Sequence, residues 1–158
     1  MKILVLGHGG HGKNEVCDIL HRHGLSSCSS SWFAFEKVIW PAIGHEYVDK
    51  ESCYADRRNR RQEWFDFISE YNTPDKARLA KELLAEYDVY NGMRSMDEFL
   101  ATYKLFDKIL WVDRSQNVAL DPSMKIPRDG SMELIDNNGS LTSTEGQLVQ
   151  LLNINQWA

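Results

Sequence analysis

The 158-residue chain has only three cysteines, Cys17, Cys28 and Cys53. Their number is odd and their spacing fits no metal-ligand pattern. That excludes a disulfide framework and a zinc site, and it fits reduced thiols in a cytoplasmic protein. No stretch approaches the roughly 18 consecutive apolar residues of a membrane span. The apolar start is interrupted from Gly7 to Lys13, so no signal peptide is expected either. Positive charge is not in excess: 18 Lys and Arg stand against 23 Asp and Glu, a net charge of -5. A general nucleic-acid-binding surface is excluded on that ground. Internal repeats, low-complexity tracts and linkers are absent. With 42% hydrophobic residues, residues 1–158 read as one domain with its own core.

What is present is most concentrated in the first fourteen residues. The apolar run Ile3-Leu4-Val5-Leu6 leads into Gly7-His8-Gly9-Gly10-His11-Gly12-Lys13-Asn14. This is the phosphate-loop pattern G-x-x-x-x-G-K-[ST], with Asn14 in place of the final hydroxyl residue. Such glycines let successive backbone N–H groups turn around a phosphate, and the lysine adds a mobile positive charge. The following helix starts there, with the positive end of its dipole toward the same anion. Gly7, Gly9, Gly10, His11, Gly12, Lys13, Asn14 and Glu15 are therefore the expected nucleotide-phosphate site. The side chains of His8 and His11 fall at variable positions and should point away from the cradle.

Further along, strands alternate with helices. Strands are expected at 2–6, 25–30, 89–90, 108–112 and 132–135. Helices are expected at 12–23, 32–40 (ended by Pro41), 55–70, from Thr73-Pro74 to Glu86, 96–105 and 143–152. Residues 42–54 read as loop, and 114–130, with two prolines, as a long connection. Ser95 with Glu98 matches a capping box. His21 and His23 read as the solvated end of a helix. The alternation implies an α/β fold, a parallel sheet of about five strands with helices on both faces. In such folds ligands bind at the carboxyl ends of the strands. That edge would gather the phosphate loop, Ser29–Ser31, Gly92–Arg94, Asp113–Arg114 and Asn137–Gly139.

Lys13, Arg94 and Arg114 are the candidate catalytic cations, since phosphoryl transfer chiefly needs positioning and charge neutralisation. Arg57 and Arg61, at i and i+4, would share one helical face. Two readings of that run stay open, a solvated face paired with Asp56 and Glu63, or a clamp on the phosphate of a second substrate. For a metal, Asn14 offers an amide oxygen. Asp88 and Asp113 are the acidic residues near strand ends, with Asp113 favoured.

In the order of these motifs the chain resembles P-loop nucleotide kinases, most closely the phage-type deoxynucleoside monophosphate kinases. The resemblance runs through Gly7–Lys13, Ser29-Ser30-Ser31-x-Phe33-Ala34, Arg57–Trp64, Gly92-Met93-Arg94-Ser95 with Glu98, Ile109–Arg114 and Asp136–Ser140. It implies a three-layer α/β/α P-loop kinase fold with a helical acceptor-binding insertion at about 31–87 and a short lid at about 114–130. It implies ATP, with Mg2+, on the phosphate loop, Arg114, Asn138 and Gly139. A (deoxy)nucleoside 5'-monophosphate would bind on Ser31, Phe33, Arg57, Arg61, Trp64 and Arg94. Lys125 or Arg128 could assist Arg114, and neither a nucleic-acid polymer nor a membrane is an expected partner. The oligomeric state is open between monomer and homodimer. Asn14, and Asn91 where many such kinases keep an acidic residue, depart from the pattern. Two alternatives stay beside this reading: a kinase of another small acceptor such as dephospho-coenzyme A, and a nucleotide-binding protein without transfer activity.

Overall fold

A computed structural model describes residues 1–153. Five strands form one sheet: β1 (Ile3–Leu6), β2 (Ser27–Ser29), β3 (Val89–Asn91), β4 (Lys108–Asp113) and β5 (Glu133–Asp136). Their spatial order is β2-β3-β1-β4-β5 and every pairing is parallel. This is the expected three-layer α/β architecture. Side chains alternate along a strand, so β1 feeds both layers. Leu4 and Leu6 join Phe33, Phe35, Leu83, Tyr90, Met93 and Trp111 on one face. Ile3 and Val5 join Val16, Leu20, Leu110, Ile135 and Leu148 on the other.

The second of these layers is made by α1 (Lys13–Arg22) and α8 (Leu141–Leu152). Ser140 caps α8 by accepting from Ser143 N–H at 3.1 Å. His23, at the end of α1, is buried and bonds Glu145 Oε2 at 2.9 Å, so it is not solvated as its sequence position suggests. The layer on the opposite face carries α2 (Ser30–Ala34), α3 (Trp40–Ile43), α4 (Lys50–Ala55), α5 (Arg61–Tyr71), α6 (Arg78–Glu86) and α7 (Met96–Thr102).

Four expectations for this layer need correction. Pro41 does not end a helix. A π-helical turn, Phe35–Ile39, lies between α2 and α3, and Trp40 N–H bonds the Phe35 carbonyl five residues back. That shift starts a new first turn at Trp40, where a missing proline N–H is tolerated. Residues 42–54 are not loop, because Asp49 caps α4 by accepting from Ser52 N–H at 2.8 Å. The arginine run is broken: Asp56–Asn59 form a 3-10 turn, Arg60 leaves helical geometry, and α5 opens at Arg61. Thr73 does not cap α6, which starts only at Arg78, held by Asp75 Oδ1 on Ala77 N–H and Asn72 Oδ1 on Leu79 N–H. No helix of the described residues is long and apolar enough to cross a membrane.

Candidate functional site

The loop after β1 curls over the carboxyl end of the sheet. Gly7 is required there by close approach: a Cβ would meet the Val112 carbonyl oxygen at 2.6 Å. Gly12 has a φ of +98° and would drive a Cβ into Asn137 Nδ2, so it too admits no side chain. No side chain caps α1 at Gly12, which leaves the helix start turned to the loop. Lys13 folds back over the loop, its Nζ donating to the Gly7 carbonyl at 2.7 Å and the His8 carbonyl at 3.1 Å. Burial and then the neighbouring Arg94 guanidinium lower its pKa to about 8, against a smaller opposing pull from Asp121.

Gly9, Gly10, Gly12, Lys13, Asn14 and Glu15 line one cavity of about 570 Å³. A second, of about 510 Å³, is lined by Ser30, Arg57, Arg58, Arg61, Trp64 and Ser123 among others. Ser31, Arg57, Gly92 and Arg94 belong to both walls. The two cavities therefore adjoin, with Arg57 and Arg94 at the junction. Arg57 lies over the Tyr54 ring at 4.2 Å and donates to the Tyr54 carbonyl at 3.1 Å. Arg57, Arg58 and Arg61 have no carboxylate partner among the described residues. Arg60 is different: it pairs with Glu63 and reaches Glu46 and Tyr47. Arg60 thus takes the expected carboxylate partner, Glu63, while Arg57, Arg58 and Arg61 line the cavity despite the broken helix.

The segment after β4 packs onto the phosphate loop through the two histidines, a role their sequence positions do not reveal. His11 is fully buried. Its Nδ1 accepts from Arg114 N–H at 2.9 Å and its Nε2 meets the Ala119 carbonyl at 3.1 Å, an arrangement that requires the neutral Nε2–H tautomer. His8 Nδ1 accepts from Asp121 N–H at 2.9 Å. Met124 and Ile126 are buried beneath the same segment. Asp121 then places a carboxylate where the loop would receive an anion. It accepts from Gly9 N–H at 3.3 Å and from Arg94 Nη1 at 2.6 Å. Hydrogen bonds from the Ser123 backbone and hydroxyl, followed by Arg94, hold its carboxyl far below the usual carboxylate range.

A phosphate entering this loop must displace that carboxylate. Solvent screens a partly exposed pair of this kind, so its displacement costs little. Asp121→Asn, which removes the charge and keeps the shape, is expected to tighten ATP binding by up to about fivefold in titration calorimetry. Unchanged or weaker binding would show that Asp121 does not compete with the nucleotide.

Some candidates lie off the cavity walls. Phe33 is buried in the core, edge-on to Tyr87, with Lys37 over its ring. Arg114 reaches neither cavity wall, and its Nε is buried without a partner. Asn138 Oδ1 accepts from Gln116 N–H at 3.0 Å, which ties the loop that includes Gly139 to the turn after β4. Asp113 Oδ1 accepts from Ser115 N–H at 3.0 Å, outside the cavity that Asn14 lines. Although burial opposes it, bonds from Ser115 and Asn138 keep that carboxyl below its ordinary pKa.

Of the two expected metal ligands, only Asn14 lines the loop cavity, and its oxygen is an amide. Asn14 Oδ1 accepts from Asn91 Nδ2 at 2.9 Å, and Asn91 Oδ1 is buried without a partner. No group of three or more His, Cys, Asp or Glu among the described residues could hold a metal. The thiols take no part: all three are free, and burial pushes Cys17 up to about 12.

No family model and no curated protein matches the chain. Among solved structures it is similar to a sugar kinase from Janibacter sp. HTCC2649, in an unliganded structure. The two share 12% identity over 97% of this chain and 94% of that one, with a TM-score of 0.50. The likeness is one of fold alone: a three-layer α/β/α architecture.

Proposed function

We propose that this protein is an ATP-dependent kinase of a (deoxy)nucleoside 5'-monophosphate. One observation carries the reading: an arginine-lined cavity shares a wall with the cavity of the phosphate loop, and Arg57, Arg58 and Arg61 have no carboxylate partner there. Arginine matches phosphate geometry and is poorly placed facing a cavity without an anion. A neutral hydroxyl acceptor such as a sugar would leave those charges with nothing to neutralise. Two phosphorylated substrates, one in each cavity, account for them.

In this reading the phosphate loop and Lys13 hold the β- and γ-phosphates of ATP. Arg57, Arg58 and Arg61 hold the acceptor phosphate, and Arg94, at the junction, faces the transferring group. An acceptor phosphate oxygen attacks the γ-phosphorus in line. No protein base is needed, because that phosphate is largely ionised at pH 7. Residues 31–87 serve as the acceptor-binding region and 114–130 as the lid, within a single domain. Asp121 leaves the loop as ATP enters, while His8 and His11 keep the base of the lid in place. Arg114, Asn138 and Gly139 lie toward the outer part of the nucleotide.

Magnesium fits this site in a particular way. The ion binds oxygen, keeps several waters and needs only one or two protein ligands beside the phosphates. The Asn14 amide oxygen, with the orphaned Asn91 Oδ1 behind it, would supply them in place of a hydroxyl. The ion would neutralise phosphate charge.

The pairing of Asn14 with Asn91 also supports a second reading, nucleotide binding without transfer. Initial rates with Mg·ATP across the common ribo- and deoxynucleoside monophosphates, dephospho-coenzyme A and simple sugars separate the two. Transfer to monophosphates alone is expected. Transfer only to a hydroxyl acceptor, or ATP binding with no transfer, would end the proposal.

Lys13 gives the reaction a pH signature. Its pKa of about 8 in the free protein rises when an anion binds beside it. ATP affinity is therefore level below pH 8 and falls by about tenfold per pH unit above it, until the pKa of the bound state is reached. Calorimetry from pH 6.5 to 9.5 reads this directly. Lys13→Met should bind weakly with no such inflection, and an inflection that survives in it would assign the titration elsewhere.

A further inference from the structure

The arginine-lined cavity continues inward. Ser30, Ser31 and Trp64 are shared with a smaller cavity of about 150 Å³, whose far wall carries Asn72, Lys76, Tyr90 and Glu98. Drug-sized ligands occupy roughly 300–1,000 Å³, so this space suits one small planar base rather than a whole nucleotide. Tyr90 is buried and its hydroxyl donates to Glu98 Oε1. Glu98 Oε2 has no hydrogen-bond partner among the described residues. As the third residue of α7, Glu98 should have reached back to the backbone of Ser95. Only half of that capping box forms: Ser95 Oγ accepts from Glu98 N–H at 3.4 Å, while the carboxyl turns inward to Tyr90. Burial raises the Glu98 pKa, which the bond from Tyr90 partly offsets. Glu98 is only partly buried, and its Oε2 is not sealed in the protein: it lies open to the cavity that Glu98 lines, where a ligand N–H can reach it.

We propose that this inner cavity takes the base of the acceptor and that Glu98 selects a base carrying an exocyclic amine. The inference rests on the reading of the acceptor as a nucleoside monophosphate. Arg94 and Glu98 stand four residues apart at the start of α7, so one helix start sets both the phosphate end and the base end of a single small molecule. An amino N–H of guanine, adenine or cytosine donates to Glu98 Oε2. Thymine and uracil bring carbonyl oxygens on either side of one N–H, which sets acceptor against acceptor and leaves part of the carboxylate unpaired. A site built around a buried hydrogen bond discriminates strongly against a ligand that cannot make it.

The test compares kcat/KM for dGMP, dAMP, dCMP and dTMP. It also sets dGMP beside dIMP, and dAMP beside its purine analogue, pairs that differ in the amine alone. The amino-bearing nucleotides are expected to exceed dTMP and the des-amino analogues by at least about tenfold. Glu98→Gln keeps an oxygen for Tyr90 and turns an N–H2 toward the base. It should shrink that gap to within about threefold, mainly through KM. Equal use of both members of each pair, or unchanged ratios in a Glu98→Gln protein that melts like the parent, would overturn the inference. If Glu98→Gln does not fold, the paired analogues on the native chain decide alone. Calorimetric binding of the same pairs needs no turnover. A protein that prefers the amino-bearing member yet transfers nothing would sink the kinase reading and leave this inference standing.

Discussion

Replacing Lys13 by alanine is expected to lower the transfer rate by about a hundredfold to a thousandfold while the protein melts no lower than the parent. The two halves of that result have separate causes. Lys13 Nζ bridges the Gly7 and His8 carbonyls at 2.7 and 3.1 Å, directly over the loop. It is the one ammonium on the wall of that cavity. Charge developing on the transferring group loses its nearest mobile cation when it is removed, and a preorganised donor is among the largest single contributions to such catalysis. Stability responds in the opposite sense. Burial and Arg94 both disfavour the charged lysine, so truncation relieves a cost and forfeits two hydrogen bonds to carbonyls at a partly exposed site. A variant that unfolds would make Lys13 a structural clip. One that keeps full activity would remove the loop from the chemistry.

Arg94→Ala is the second large effect, and it should be read in the acceptor. A hydrogen-bonded charge is worth about 1.5–3 kcal/mol, so the KM for the acceptor should rise by roughly tenfold to a hundredfold. The Kd for ATP should rise by less than about threefold, because the Arg94 charge is largely spent on the Asp121 carboxylate at 2.6 Å and the loop keeps Lys13. Steady-state kinetics with each substrate varied in turn, plus calorimetry for ATP, give both numbers. An acceptor KM that does not move would place the acceptor phosphate away from the junction of the two cavities.

The residues of this site were legible in the sequence to very different degrees. Gly7–Lys13 was readable because a phosphate loop needs particular residue types at fixed spacing, and β1 and α1 flank it as the pattern requires. Arg94 was readable from its place after a strand-end glycine. Arg57 and Arg61 reach the expected cavity by an unexpected route, since Arg60 breaks the helix that was to align them. Its bonds to Glu46, Tyr47 and Glu63 are tertiary choices that no local spacing encodes. Asp121 lies 112 residues from Gly9 in an aperiodic loop, and nothing local distinguishes it from Asp113 or Asp129. All three open the same Asp-x-Ser turn, in which the aspartate accepts from the residue two ahead. His8 and His11 were set aside because the loop pattern leaves their positions open. Their side chains hold the segment after β4. Phe33 was misplaced for the converse reason: an aromatic near a ligand motif more often fills the core, and this one does.

The three-layer sheet was the most secure expectation, because runs buried on both faces and helix-length gaps admit few other arrangements. The failures within it have a common origin. Pro41, Thr73 and the 42–54 stretch were judged by local propensity, while the outcome was set by a π turn, by Asn72 and Asp75, and by the Asp49 cap.

The central claim is that two phosphorylated substrates meet at the wall shared by the phosphate-loop and arginine cavities. It is tested most directly by incubating the protein with Mg2+, ATP labelled with 32P in the γ position and a deoxynucleoside monophosphate, then separating the products. Label in the β-phosphate of the matching nucleoside diphosphate, formed in step with ADP and absent without the acceptor, is the predicted result. Label that stays in ATP, leaves only as free phosphate, or moves to a sugar hydroxyl instead would contradict it.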